Sequence, residues 1–170
     1  MGVRRLSVTG LAALHRAVND PAAVERFRSK VVQVPGSQCL WWTGAVSGRG
    51  HGRFWFGRGR VVIAHRFAFA VAYGVEALDQ VRVLGHRCDN PLCQRVGPGH
   101  VVASSAAQNR REWVIRRLLA GNPLADPRGP RRRARELRDL ARQDPAAVAA
   151  DLSRLRERIG EQLRCGDREW

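Results

Sequence analysis

The run Gly85-His86-Arg87-Cys88-Asp89-Asn90-Pro91-Leu92-Cys93-Gln94-Arg95-Val96-Gly97-Pro98-Gly99-His100, followed nine residues later by Asn109, decides how this chain is read. Cys88, Cys93 and His100 supply two thiolates and an imidazole, the ligand types that Zn²⁺ takes in closed tetrahedral sites. Cys39, far upstream, is the natural fourth ligand, and His86 is then left over. The Cys-x4-Cys-x6-His spacing with a remote partner is not that of a DNA-reading finger, so no recognition helix follows from it. It would tie a Pro- and Gly-rich loop and a distant segment to one ion. Such closure contributes on the order of 10 kcal/mol of apparent folding energy in small zinc modules. The competing reading is plain buried thiols, for which a loop of this composition offers little core.

Working outward, charge is the next signal. The 170 residues carry a formal charge of +15, and 29 of the 30 basic residues are arginine. From Arg26 to Val75 there is no acidic residue, while Arg26, Arg28, Lys30, Arg49, Arg53, Arg58, Arg60 and Arg66 all fall there. The charge is therefore sorted along the chain, which points to a phosphate-bearing partner such as duplex DNA. The apolar stretch near Leu11 to Leu14 is broken at once by His15 and Arg16, too short for a secretory signal. No stretch is long and apolar enough to span a membrane, and a cytoplasmic protein is expected. In a reducing compartment the cysteines read as metal ligands or free thiols, with Cys165 a bystander.

The local pattern predicts short helices from Thr9 or Gly10 to Val18 and from Asp20-Pro21 to about Ser29. Phe54-Trp55-Phe56 and Val61-Val62-Ile63 flank a Gly-bearing turn and predict a β-hairpin. Ala64 to Tyr73 predicts a helix ended by Gly74. Val81 to Leu84 predicts a strand ending just before His86. Ser105 and Gln108 form a capping-box pattern at the head of a helix carrying Asn109 and running to about Ala120. Residues 131–165 read as a helical hairpin, with Val148, Leu152, Leu155, Ile159 and Leu163 in one apolar stripe. That stripe either folds back on the rest of the chain or pairs with a second copy in a homodimer.

The ordered elements Cys39-Leu40-Trp41-Trp42-Thr43-Gly44, Ala64-His65-Arg66, His86-Arg87-Cys88-Asp89-Asn90-Pro91-Leu92-Cys93, His100 and Asn109 resemble the HNH, or His-Me finger (ββα-metal), endonucleases, in their zinc-stabilised homing and phage-type subgroup. The resemblance covers roughly residues 21–115 and is most specific in its second half. It implies an α+β fold: a small ββα-metal nuclease core with a β-hairpin and a structural zinc, plus the C-terminal helical hairpin. Residues 1–122 would be the nuclease domain, with its motif core at about 36–120, residues 123–130 a linker and 131–170 a helical region.

By the same resemblance His86 is the general base for water attacking a phosphodiester. Asn109 holds one Mg²⁺ or Mn²⁺ through its amide oxygen. Cys39, Cys88, Cys93 and His100 hold the structural Zn²⁺, and Arg53 or Arg60 on the hairpin contacts the scissile phosphate. One departure is visible: six residues separate Cys93 from His100, where the resemblance leads one to expect four. The alternative ligand set replaces His100 by His86, which would end the latter's role as base. Two other functions share these residues: a zinc-stabilised DNA-binding protein without catalysis, and an RNA-acting nuclease or toxin.

The remaining conspicuous residues have plain readings. Trp41, Trp42, Trp55, Phe54, Phe67 and Phe69 are expected in the core. His65 orients or packs at a helix start, with a ligand role the lesser reading, and His51 is read as a solvated loop residue, with phosphate contact the alternative. Arg131 to Arg133 begin a helix, solvated or on DNA backbone. Asp89 and Asn90 shape the turn before Pro91, with Asn90 a candidate to orient His86.

Overall fold

The computed structural model describes residues 7–57, 59–117, 119 and 122–166, with side chains described to residue 158. Helix α1 (Val8–Val18) starts where Ser7 Oγ accepts from the Gly10 amide at 3.1 Å. Helix α2 (Pro21–Arg28) starts where Asp20 Oδ1 accepts from Ala22 at 3.0 Å, the cap expected there, whereas α1 starts ahead of the expected Thr9 or Gly10 because Ser7 caps it. The chain is a mixed α+β fold whose described strands form three small antiparallel pairs. β1 (Val31–Gln33) pairs with β2 (Leu40–Trp42), and β3 (Arg53–Gly57) with β4 (Arg60–Ile63) as the predicted hairpin. Helix α3 (Ala64–Tyr73) leaves β4 directly and ends at Gly74, whose φ of 90° suits glycine, before the short α4 (Val75–Gln80).

The core is aromatic. Phe27 lies between Trp42 and Phe67, with ring centroids 5.2 and 5.0 Å away, and Phe54 packs on Phe67 at 4.6 Å. Such pairs contribute about 0.5–1.5 kcal/mol each beyond the area they bury. Trp41, Trp42, Phe54, Phe67 and Phe69 are buried as expected, but Trp55 is 50% exposed. The strand period explains this correction: β3 alternates, placing Phe54 and Phe56 inward and Trp55 outward, where the Arg53 guanidinium lies 5.2 Å from its ring.

β5 (Val83–His86) runs through His86 and does not end before it, because His86 pairs with Val101 at the head of β6 (Val101–Ser104). This antiparallel pair leads into α5 (Ala106–Arg116), capped by Ser105 Oγ on the Gln108 amide at 3.0 Å. Only half of the capping box forms, since the Gln108 side chain turns to Glu112. α5 stops short of Ala120: beyond Arg116 the amides of Leu119 and Asn122 bond three residues back, which tightens the chain into turns. Residues 118, 120 and 121 lie outside the described set.

Residues 123–130 are not a spacer. Pro123–Ala125 form a 3-10 turn, and α6 (Gly129–Gln143) begins within the stretch. The buried Asp126 carboxylate holds Arg128 at 2.6 Å and faces Arg133 at 3.4 Å, and Arg128 also reaches Asp151 on α7 (Pro145–Gly166) at 2.9 Å. α6 grips the front of the fold: Arg138 donates to the Gly44 carbonyl at 3.2 Å and Arg142 to that of Thr43. Val148 and Leu155 are buried and Leu152 packs against the core, so the described part of the apolar stripe folds back on this chain. The side chains of Ile159, Leu163 and Cys165 lie outside the described set.

Candidate metal centre and active site

The segment between β5 and β6 is a loop closed at its base by the Arg87 amide on the His100 carbonyl, 2.8 Å. It docks on β2: Trp42 N donates to Leu92 O at 2.9 Å, Gln94 N donates to Leu40 O at 2.7 Å, and Trp41 pairs with Cys93. That backbone pairing delivers Cys39, which directly precedes β2, to the loop cysteines. Asp89, at a φ of 53°, and the Asn90 Oδ1 bond to the Leu92 amide at 3.1 Å shape the turn as anticipated.

Cys39, Cys88, Cys93 and His100 offer four donor atoms that all lie within 4.8 Å of one another. Cys39 Sγ and Cys93 Sγ stand 3.7 and 3.6 Å from His100 Nδ1. A tetrahedral zinc with Zn–S near 2.3 Å and Zn–N near 2.05 Å would set sulfur and nitrogen about 3.6 Å apart, so the donors already hold a zinc-sized spacing. Charge tells the same story. Hydrogen bonds from the Cys88 and Cys93 thiols pull Cys39 down to about 2, while the Cys39 sulfur beside them pushes Cys88 up to about 12 and Cys93 up as well. Three sulfurs this close do not all ionise unless a cation joins them, so the residues fit a structural metal such as zinc. Gly97 and Gly99, both at positive φ, lie in the six-residue stretch between Cys93 and His100, and His100 stays in the cluster.

His86 belongs to a different group. Its Nε2 lies 3.1 Å from Nδ1 of His65, and the two rings meet edge to face with centroids 4.6 Å apart. The ring of His51 stacks on His86 at 5.7 Å. His51 is placed by a tight loop, in which Ser47 N bonds His51 O at 2.8 Å and Arg53 N bonds Ala45 O at 2.7 Å. It is half-buried, not solvated, and the ring nitrogens Nδ1 of both His51 and His86 are buried without a hydrogen-bond partner among the described residues. His65 touches His86, whereas Asn90 uses its Oδ1 in its own turn and its Nδ2 is buried without a hydrogen-bond partner among the described residues. Desolvation holds all three imidazoles neutral: it lowers His51, lowers His65 well below the ordinary value, and with the neighbouring His51 pushes His86 down to about 3.

His86 and Asn109 both line a cavity of about 460 Å³ together with His51, Arg49, Arg116 and Arg133. Asn109 reaches it from the first turn of α5, against the backbone of Gly85. Arg116 lies 3.4 Å from Asp89, and Arg133 lies 3.4 Å from Asp126. Arg53 and Arg60 are not among the lining residues; Arg53 lies over Trp55 and Arg60 reaches the Thr9 carbonyl at 3.5 Å. Sequence reasoning gave Arg49 and Arg116 no place beside His86, left His51 and Arg133 as solvated or phosphate-contacting residues, and read His65 as orienting or packing, with a ligand role secondary. No local spacing ties any of them to His86; the Ala64-His65-Arg66 element was the one available hint.

The chain is 32% identical over 88 residues to Protein 7.7 of Escherichia phage T7, a match covering 51% of this chain and 64% of that protein. No protein-family model and no solved structure matches the chain. No described helix is long and apolar enough to cross a membrane.

Proposed function

We propose that this protein is a divalent-metal-dependent endonuclease acting on duplex DNA, with His86 as general base. The observation that carries this reading is the convergence of His86, at the exit of β5, and Asn109, on the first turn of α5, on one arginine-lined cavity beside a separate Cys3His cluster. The separation matters because a zinc ligand has no lone pair to spare for a proton, and His100 fills the fourth position that His86 would otherwise take.

The neutral imidazole of His86 takes a proton from a water. The water oxygen forms the new bond to phosphorus, and the bond from phosphorus to the 3′ oxygen breaks, that oxygen taking a proton from a solvent water, leaving 5′-phosphate and 3′-hydroxyl ends. His65 orients the base through its ring nitrogen. An imidazole held near 3 is a weak base in the free protein, and an incoming phosphodiester anion beside it raises that value toward the useful range. The Asn109 amide oxygen is a hard donor suited to Mg²⁺ or Mn²⁺, which when bound supplies neutralisation of charge on the phosphoryl group and the leaving oxygen. Asp89 also lines the cavity, but its carboxylate is engaged by Asn122 at 3.0 Å and by Arg116, so the ion's other ligands would be waters and substrate oxygens. The excess of arginine favours phosphate backbones generally.

The deciding experiment is purified protein on supercoiled plasmid with and without Mg²⁺, with His86→Ala as control and RNA as a parallel substrate. Mg²⁺-dependent nicking or cutting that His86→Ala loses supports the reading. Salt-sensitive binding without cleavage would mark a zinc-stabilised DNA-binding protein instead, and cleavage of RNA alone would reassign the substrate.

A further inference from the structure

The three histidines at the cavity go beyond what a general base requires. A base needs one orienting partner, and His65 already supplies it; His51 adds a third imidazole from a separate loop. The three rings each offer one nitrogen, all within 4.8 Å of one another. His86 Nε2 and His65 Nδ1 are 3.1 Å apart, near the separation of about 3.3 Å between two nitrogens on one tetrahedral ion at 2.05 Å. His51 Nδ1 is buried without a hydrogen-bond partner among the described residues, and in the tautomer protonated on Nε2 its lone pair is unused. A buried nitrogen with an unused lone pair carries an uncompensated desolvation cost, which a bound cation would relieve. Open cavity volume adjoins His51 and His86, which gives an ion an entry path.

We propose that His51, His65 and His86 form a second metal site, selective for borderline ions such as Zn²⁺ and Ni²⁺ over Mg²⁺. The selectivity follows from the ligands: neutral imidazoles suit late transition ions, whereas Mg²⁺ prefers oxygen and dehydrates reluctantly. Three protein ligands leave one position open on a tetrahedral ion, facing the cavity. On binding, the proton shared between His65 and His86 moves to the ring nitrogen of either residue that does not face the ion, so no net proton is released. The site stands on geometry alone. Its consequence rests on the nuclease reading: an ion held here occupies the lone pair of His86, so excess Zn²⁺ would block the base that the same metal's structural site helps to position.

The test counts metal. The 170-residue protein carrying its first zinc is brought to equilibrium dialysis against excess Zn²⁺, and zinc per chain is measured for wild type, His51→Gln and His65→Ala. The site is supported by two zinc ions per chain in wild type and one in each variant, with Mg²⁺ in large excess failing to displace the second. It is overturned by a single zinc in wild type, or by a second zinc that persists in His51→Gln. His65 is buried and its loss could unfold the protein, so His51→Gln, at the cavity wall, decides the matter with its folding checked by circular dichroism. Plasmid cleavage at rising Zn²⁺ is read separately; a protein that never cleaves DNA but binds two zinc ions overturns the nuclease reading and leaves the site standing.

Discussion

Gly85 lies directly against Asn109: a β-carbon built on Gly85 would come within 3.0 Å of Asn109 Oδ1. The absence of a side chain one residue before His86 is therefore what lets α5 bring its amide to the exit of β5. Gly85→Ala should push the amide aside while leaving the backbone unstrained, since Gly85 is not among the glycines at positive φ. Plasmid cleavage should fall roughly tenfold or more, as expected when a positioned group is misplaced by a fraction of an ångström. Unchanged cleavage by Gly85→Ala would show that Asn109 is not used.

Direct replacement of Asn109 separates oxygen coordination from shape. Asn109→Ala should be nearly inactive at low Mg²⁺, and Asn109→Asp should retain more activity, above all with Mn²⁺, because it keeps an oxygen ligand. Zinc content and the salt dependence of DNA binding should not move in either variant. Cleavage titrations against Mg²⁺ and Mn²⁺ read the difference.

For the Cys3His cluster, the donor spacing leads us to expect one chelator-resistant zinc per chain. Cys88→Ser or Cys93→Ser should lose both that metal and the fold, since the ion would tie the loop to Cys39 at the head of β2 and supply much of the folding energy of so small a module. Cys165→Ser should leave the metal content unchanged. Elemental analysis with circular dichroism checks all three variants.

His86→Ala should keep the tightly held zinc and DNA affinity while cleavage falls roughly 10²-fold or more, the scale of lost general-base assistance. Loss of the chelator-resistant zinc in that variant would assign His86 to the structural cluster instead.

Stability should fall as the pH drops below about 6.5, the unfolded value for histidine. Burial depresses His65 in the fold, so below that pH the unfolded chain takes up a proton that the folded chain refuses. Its contribution is complete above that pH and lost as the pH falls toward the folded value, at about 1.4 kcal/mol per pH unit. Urea unfolding at pH 7 and pH 5 should therefore show a smaller acid loss for His65→Gln than for wild type. Both proteins are compared without added zinc, so that the histidine site stays empty and release of the structural zinc in acid affects both alike and cancels.

The Asp126 carboxylate is the counter-charge of Arg133, whose side chain is only 3% exposed. Asp126→Ala should cost about 3–5 kcal/mol, the scale for stranding a buried charge. Asp151→Ala should cost less, because the Arg128 guanidinium it leaves is partly exposed and keeps Asp126. Urea midpoints of the two variants give the order.

The parts of this protein that its sequence determined are those whose cause lies within a few residues. Ser7, Asp20 and Ser105 cap helices because their side chains reach amides two or three positions on. The Phe54 to Ile63 hairpin and the stop at Gly74 follow from strand period and a glycine conformation. The four soft ligands were legible because thiols and an imidazole in a turn-rich loop have few other uses. What tertiary structure decided depends on pairings between remote segments, which residue types do not encode singly. β2 docking on the loop brings Cys39 to Cys93, and packing of the 47–51 turn and the start of α3 against β5 turns two ordinary histidines toward His86. Trp55 faces out because strand register chose its face, and residues 123–130 became a charged junction because Asp126 met Arg128 and Arg133 there. Which arginines line the cavity was settled the same way, by helix placement, since one guanidinium is like another until the fold assigns its neighbours.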